Sequence, residues 1–163
     1  MKWVLAVLSR WLMMFRGSFE HTLDAKGRLS LPSKYRDVLT GKGDNRVMIT
    51  NFTMLGARCL EVYPLDEWQR LEEKILGRSR FDPEVNSFET YYLGRAHECA
   101  VDGQWRILIP PTLRRHADLK RDVVLVAAVE KFRIWDQETW NKVFADAEEK
   151  FTQNPESFGN LGF

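Results

Sequence analysis

Asp24-Ala-Lys-Gly-Arg-Leu-Ser-Leu-Pro32 occurs a second time, with substitutions, as Asp102-Gly-Gln-Trp-Arg-Ile-Leu-Ile-Pro110. In each copy Asp is followed four residues on by Arg, then by an alternating apolar run, then by Pro, and a further Arg stands at 36 and at 114. Every matched position is displaced by 78 residues. An internal duplication of this kind sets the architecture before any local reading does.

Within each copy the residue types prescribe a shape. Asp24 can bond the backbone two residues on, and Gly27 can take the positive φ of a tight turn. Arg28 to Leu31 alternate with Leu29 and Leu31 on one face, which predicts a strand. Pro32 pre-sets φ for a helix over Ser33 to Leu39, with Tyr35, Val38 and Leu39 as its apolar side. Strands follow at 46–50 and 59–63, after which Asp66 is placed to cap an amphipathic helix carrying Trp68, Leu71 and Ile75. A helix opening at Asp82-Pro83 and ending at Gly94 links the copies. The second half then repeats the order, with strands at 97–101, 106–109, 123–129 and 132–135, a helix over 111–117, and a helix capped by Asp136. Its apolar face is Trp140, Val143, Phe144, Ala147 and Phe151. Tyr63 and Trp68 match Trp135 and Trp140 at a displacement of 72, so the whole half is duplicated. Two four-stranded units, each too small to close a core alone, are expected to pack on each other about a pseudo-twofold axis.

The bulk properties limit the function classes. The chain has 163 residues, 44% hydrophobic and 29% charged, with a net charge of +1. That is the composition of a globular protein with a substantial core, and it neither demands nor excludes a polyanionic partner. The distribution is more informative. Arg10 to Arg46 contain eight Lys or Arg against four acids, whereas Asp136 to Lys150 contain five acids against two bases. The basic excess therefore surrounds the first copy of the motif. Cys59 and Cys99 are two thiols that do not match each other under the repeat, and the reading is reduced cysteines in a cytosolic protein. No carboxylate cluster completes a metal site around His21 and Asp24, and His97-Glu98-Cys99 has no second ligand pair. A phosphate-cradling Gly loop and a nucleophile elbow are also missing. No catalytic residue, metal or cofactor is expected.

Residues 1–13 are apolar, but Ser9 and Arg10 interrupt the run, which is short for a secretory core and for a bilayer span. No membrane association is expected. Met14, standing directly before Phe15-Arg16-Gly17, is read as the natural start, with 1–13 as a start-site extension. The remaining divisions are 18–65 as the first half, 66–95 as connecting helices, 96–139 as the second half, and 140–163 as the C-terminal helix and tail. The tail after Thr152 carries no periodicity and is expected to fray.

Met14-Phe-Arg-Gly17, Leu23-Asp-x-Lys-Gly-Arg28, Tyr35-Arg36, Tyr63-Pro-Leu-x-Glu-Trp68, Leu93-Gly94, Glu98-Cys99, Asp102-Gly103, Arg106, Pro110 and Trp135-Asp136 together resemble the MraZ family of bacterial transcriptional regulators. The resemblance runs from Met14 to about Ala147. It implies an α+β fold of two tandem swapped-hairpin AbrB-like β-barrel halves in pseudo-twofold arrangement, with flanking amphipathic helices. It also implies a cytoplasmic, nucleoid-associated repressor that acts as a homo-oligomeric ring. The DNA expected is double-stranded, in tandem promoter repeats of the protein's own cell-division and cell-wall operon. The family's Asp-x-x-x-Arg motifs fall on Asp24/Arg28 and Asp102/Arg106. One position departs: the family has Gly before the motif Arg, and the second copy has Trp105. Trp at positive φ costs on the order of 1 kcal/mol, and Gly103 is the residue expected to absorb the bend instead.

Spacing alone leaves two readings of the Asp–Arg pair open: an Arg fork aimed at DNA and steered by the Asp, or a link that only closes the turn. With the resemblance, Arg28 is the principal expected DNA contact and Arg106 the second. Lys26, Arg16, Lys34, Arg36 and Arg46 are candidate phosphate contacts, and Asp24, Gly27, Asp102 and Gly103 are assigned structural roles in the turns. A ring-forming scaffold without DNA binding and an AbrB-type antitoxin-like protein are the alternatives.

Overall fold

A computed structural model describes residues 1–162. The eight strands are β1 (Ser18–Thr22), β2 (Arg28–Ser30), β3 (Arg46–Met54), β4 (Ala57–Pro64), β5 (His97–Ala100), β6 (Arg106–Leu108), β7 (Asp122–Ala128) and β8 (Lys131–Asp136). Helix α1 is Lys2–Leu12, α2 Ser33–Lys42, α3 Leu65–Leu76, α4 Pro83–Phe88, α5 Pro111–His116, α6 Gln137–Gln153 and α7 Pro155–Gly159. A π-helical turn, Glu89–Leu93, continues α4.

Proline sets three of the helix starts. Pro32, Pro64 and Pro110 hold φ at −58°, −57° and −56° and occupy the position before α2, α3 and α5. The ring fixes an angle that the first helical turn can follow directly. This corrects the expectation for Asp66, which lies inside α3; its carboxylate instead receives the Lys42 ammonium at 2.8 Å. Asp82 does cap α4, accepting from the Glu84 N–H at 2.9 Å. Asp136 stands at the start of α6, but its carboxylate accepts from the Lys120 backbone N–H at 3.1 Å rather than from its own helix. The expected frayed tail is also corrected: α7 follows α6, and the Phe151 and Phe158 rings pack at a tilt of 40° with centroids 4.7 Å apart.

The strands are interleaved between halves. Six form an antiparallel sheet in the order β1-β7-β8-β4-β3-β5, and β2 pairs with β6 in a separate two-stranded ribbon. Exchanging each strand for its repeat partner reverses the six-strand order and leaves it unchanged, which is the signature of a pseudo-twofold axis. The first strand of each half pairs with the other half: Phe19 faces Leu125 across β1–β7, and His97 faces Ile49 across β5–β3. The axis passes through the middle of β4–β8, where Glu61 faces Arg133, and of β2–β6, where Leu29 faces Ile107.

One core fills the space between sheet and ribbon. Leu29, Leu31 and Tyr35 and their repeat partners Ile107, Ile109 and Leu113 are fully buried with Ile49, Leu60, Val62, Leu125, Phe132 and Ile134. Each such aliphatic side chain contributes about 1.5–3 kcal/mol of transfer free energy, and both halves contribute to the same core. The opposite sheet face is covered twice: Tyr63, Trp68 and Tyr92 cluster beneath α3 and the π turn, and Trp135, Val143 and Trp140 beneath α6. Phe144 and Phe151, read as part of the α6 apolar face, are more than half exposed. Helix α1 has no buried residue, and no described helix is long and apolar enough to cross a membrane.

Candidate nucleic-acid interface

Each Asp-x-x-x-Arg stretch folds as a turn whose backbone closes on itself. The Asp24 N–H donates to the Arg28 carbonyl (3.0 Å) and the Gly27 N–H to the Asp24 carbonyl (2.9 Å); the Asp102–Arg106 and Trp105–Asp102 bonds repeat them at 2.9 and 3.0 Å. The Asp24 carboxylate then accepts the backbone N–H groups of Lys26 (3.0 Å) and Arg28 (2.8 Å) on one oxygen and the Arg28 Nε–H (2.7 Å) on the other. Asp102 does the same with Gln104, Arg106 and the Arg106 Nε, each at 2.9 Å. The Arg28 backbone N–H, and with it the Arg28 guanidinium, holds Asp24 below the usual carboxylate range; Arg106 acts alike on Asp102. These carboxylates are therefore anionic at neutral pH and each fixes its arginine by Nε. Among the described residues the Nη groups of both arginines have no hydrogen-bond partner, so the outer edge of each fork is free.

The two turns have the same shape, and the departure at Trp105 is resolved in an unexpected way. Trp105 itself adopts φ +58°, alongside Gly27 at +83°. Gly103 does not take the bend, which corrects the expectation: the Trp105 carbonyl must point across the axis to receive the Leu31 N–H at 2.9 Å, as the Gly27 carbonyl receives that of Ile109 at 2.9 Å. Those cross-bonds extend the β2–β6 ribbon and require the left-handed residue directly before each Arg. Packing of the Trp105 ring against the core offsets the strain of about 1 kcal/mol.

The ribbon places the arginines together. Leu29 and Ile107 point inward at the axis, so the flanking Arg28, Ser30, Arg106 and Leu108 point outward. Arg28 pairs with Leu108 and Ser30 with Arg106, which makes Arg28 and Arg106 diagonal neighbours on one outer face. Lys26 and Lys34 are exposed. The other candidates are more committed. The Arg36 Nε donates to the Leu31 carbonyl at 2.7 Å, and Arg46 holds Asp44 with two bonds of 3.0 and 2.9 Å. Arg16 stacks over Trp11 at 4.6 Å and bonds the Trp11 carbonyl.

One cluster was not anticipated from the sequence. Arg114, the repeat partner of Arg36, lays its guanidinium over Gly27, where a Cβ would stand 2.5 Å from its Cζ. Its buried Nε has no partner among the described residues. With Arg115, Lys120 and Arg121 it lines an open groove against Thr22, Leu23, Asp24 and Ala25. The Arg114-Arg115 and Lys120-Arg121 pairs were the available signal, but only folding brings them to the first turn.

An interleaved duplicated fold carrying two Asp-locked arginine turns on one outer face defines a pseudo-dimeric protein of the swapped-hairpin class. Comparison with known proteins narrows this. The MraZ protein family matches residues 14–90 and again 92–158. A transcriptional regulator MraZ of Shewanella denitrificans is 41% identical over 83% of this chain and 88% of its own length. That of Thioalkalivibrio sulfidiphilus is 44% identical over 79% and 84%, and that of Pectobacterium carotovorum 41% over 87% and 93%. The chain belongs to the MraZ family of transcriptional regulators, and it is a regulator rather than an enzyme.

Proposed function

We propose that the protein binds double-stranded DNA sequence-specifically at short tandem repeats in the promoter of its own cell-division and cell-wall operon and represses it. The observation that carries this reading is the pair of arginines, Arg28 and Arg106, each fixed through Nε by its Asp and set diagonally on one exposed ribbon face. A fork held in this way matches the two acceptors of guanine in the major groove, which is wide enough to admit a two-stranded ribbon. Lys26 and Lys34 supply phosphate contacts beside it. The near-zero net charge makes a lone subunit a weak binder, and assembly into a ring lets several subunits engage adjacent repeats at once. The exposed Phe144 and Phe151 on α6 support subunit contacts for that ring. The protein then acts in the cytoplasm, on the nucleoid.

A shift assay on the protein's own upstream region at fixed salt tests the reading. Arg28→Ala and Arg106→Ala are each expected to weaken binding by about 1–3 kcal/mol and to relax discrimination against altered repeats. Unchanged affinity of both variants would leave the turns with a structural role only.

A further inference from the structure

We infer that the groove between the first motif turn and helix α5, lined by Arg114, Arg115 and Arg121, seats a backbone phosphate of the bound DNA, and that its counterpart in the other half does not. This rests on the DNA-binding reading above. Three observations carry it.

The groove shares Asp24 and Ala25 with the turn that presents Arg28, so a phosphate held there is adjacent to the contacted base. Arg114, Arg115 and Arg121 make no ion pair among the described residues, whereas Lys120 lies 3.6 Å from both Asp118 and Asp136 and Asp24 is taken by Arg28. Three arginines without an ion pair therefore line the groove, and the Nε of one, Arg114, is buried without a partner among the described residues. Guanidinium is the side chain best matched to phosphate oxygens.

The repeat supplies the third observation. Leu23 bonds the Arg121 carbonyl as Val101 bonds the Asn45 carbonyl, which fixes the counterparts across this loop. Opposite Arg115, Lys120 and Arg121 stand Asp37, Asp44 and Asn45. In place of Gly27, whose bare backbone seats Arg114, stands Trp105, which lines a small pocket with Leu39, Gly43, Asp44 and Asn45. One groove is wide, about 840 Å³, and lined by unpaired arginines; its twin is narrow, about 210 Å³, and its Asp44 is held by Arg46. The two arginine turns are nearly equivalent and on their own would dock on a short repeat in either orientation. A phosphate seat on one side selects a single orientation, as a run of direct repeats requires.

The test measures promoter affinity against salt for the full chain, for Arg115→Gln/Arg121→Gln, and for Lys74→Gln/Arg78→Gln as a charge-matched control on exposed cations elsewhere. Losing one phosphate contact lowers the log–log salt slope by about 0.9. The groove variant is expected to show that loss on promoter and scrambled DNA alike, with the control unchanged. Asp118→Asn, which removes an acid from the groove, is expected to raise affinity about twofold. A groove variant whose slope matches the control overturns the inference while Arg28→Ala still reports on the DNA reading. Amide shifts of Ala25 and Leu119 with inorganic phosphate but an unaltered DNA slope also overturn it, assigning the groove to a free anion. If the unmodified chain binds no promoter DNA, the underlying reading falls and this inference with it.

Discussion

Glu61 and Arg133 occupy the same position of the repeat, 72 residues apart, and meet on the pseudo-twofold axis with the Arg133 Nε 2.7 Å from a Glu61 carboxylate oxygen. In a symmetric pair of identical chains this position would face itself, and any charge there would meet its own sign. Joining the halves in one chain lets them differ, so the axis carries an acid on one side and a base on the other. Lys131 lies 3.2 Å from the same carboxylate, and Tyr92 donates its hydroxyl to it. Burial alone would lower Lys131, but the Tyr63 hydroxyl and the Glu61 charge hold its ammonium above the usual value.

Glu61 is fully buried, and removing it strands two cations. Glu61→Ala is expected to cost on the order of 3 kcal/mol in urea denaturation. Exchanging the charges, Glu61→Arg with Arg133→Glu, is expected to regain part of that loss. Full recovery is not expected, because Tyr92 and Lys131 have no symmetric counterparts that would serve a carboxylate at 133. A double variant no better than Glu61→Ala would show that the pair does not act as a unit.

Gly27 answers to two demands at once, φ of +83° and the seat of the Arg114 guanidinium. Gly27→Ala is therefore expected to destabilise by about 1–2 kcal/mol, and Gly103→Ala, where nothing lies within 4 Å and φ is not left-handed, to change stability little. Thermal unfolding of the two variants side by side checks the contrast.

Arg28→Lys retains the charge but not the fork. A lysine that pairs with Asp24 has no second edge to present, so binding to the promoter repeats is expected to fall toward the level on scrambled DNA. The salt slope should stay nearly unchanged, because the total positive charge is preserved. Promoter affinity kept by Arg28→Lys but lost by Arg28→Ala would mean that Arg28 serves as a phosphate contact.

Acid should lower the stability of the protein over two ranges of pH. Burial, then the charges of Arg58 and Arg95, hold His116 below its ordinary value of 6.5. Its neutral form favours the fold, so that contribution is complete above 6.5 and is lost as pH falls from there through the lower folded value. Asp24 and Asp102 lie below 3.8, so their contribution is complete above 3.8 and is lost as pH falls through their folded values. Denaturation midpoints against pH should show both limbs. His116→Gln should flatten the first limb, and Asp24→Asn with Asp102→Asn the second.

Cys59 is fully buried, and burial pushes its thiol up to about 12; Cys99 is partly buried and raised for the same reason. A thiol reagent at neutral pH should find no fast-reacting cysteine in the native protein and two after denaturation. A rapid native reaction would mean that β4 opens readily.

The sequence by itself determined whatever is settled within a few residues or by the repeat. The duplication, the Asp-bonded turns, the helix that follows Pro32 and seven of the eight strands were legible, because a turn's hydrogen bonds span four residues and a strand's alternation is local. The family and its arginine motifs were legible for the same reason. Tertiary structure decided what depends on partners 16 to 87 residues away. Trp105 takes the left-handed conformation because its carbonyl must bond Leu31 across the axis, a demand that outweighs its residue preference. Asp66 and Asp136 leave capping to proline and backbone because Lys42 and the Lys120 amide reach their carboxylates. The opposed charges of Glu61 and Arg133, and the arginines gathered over Gly27, arise only where the interleaved strands bring the halves together.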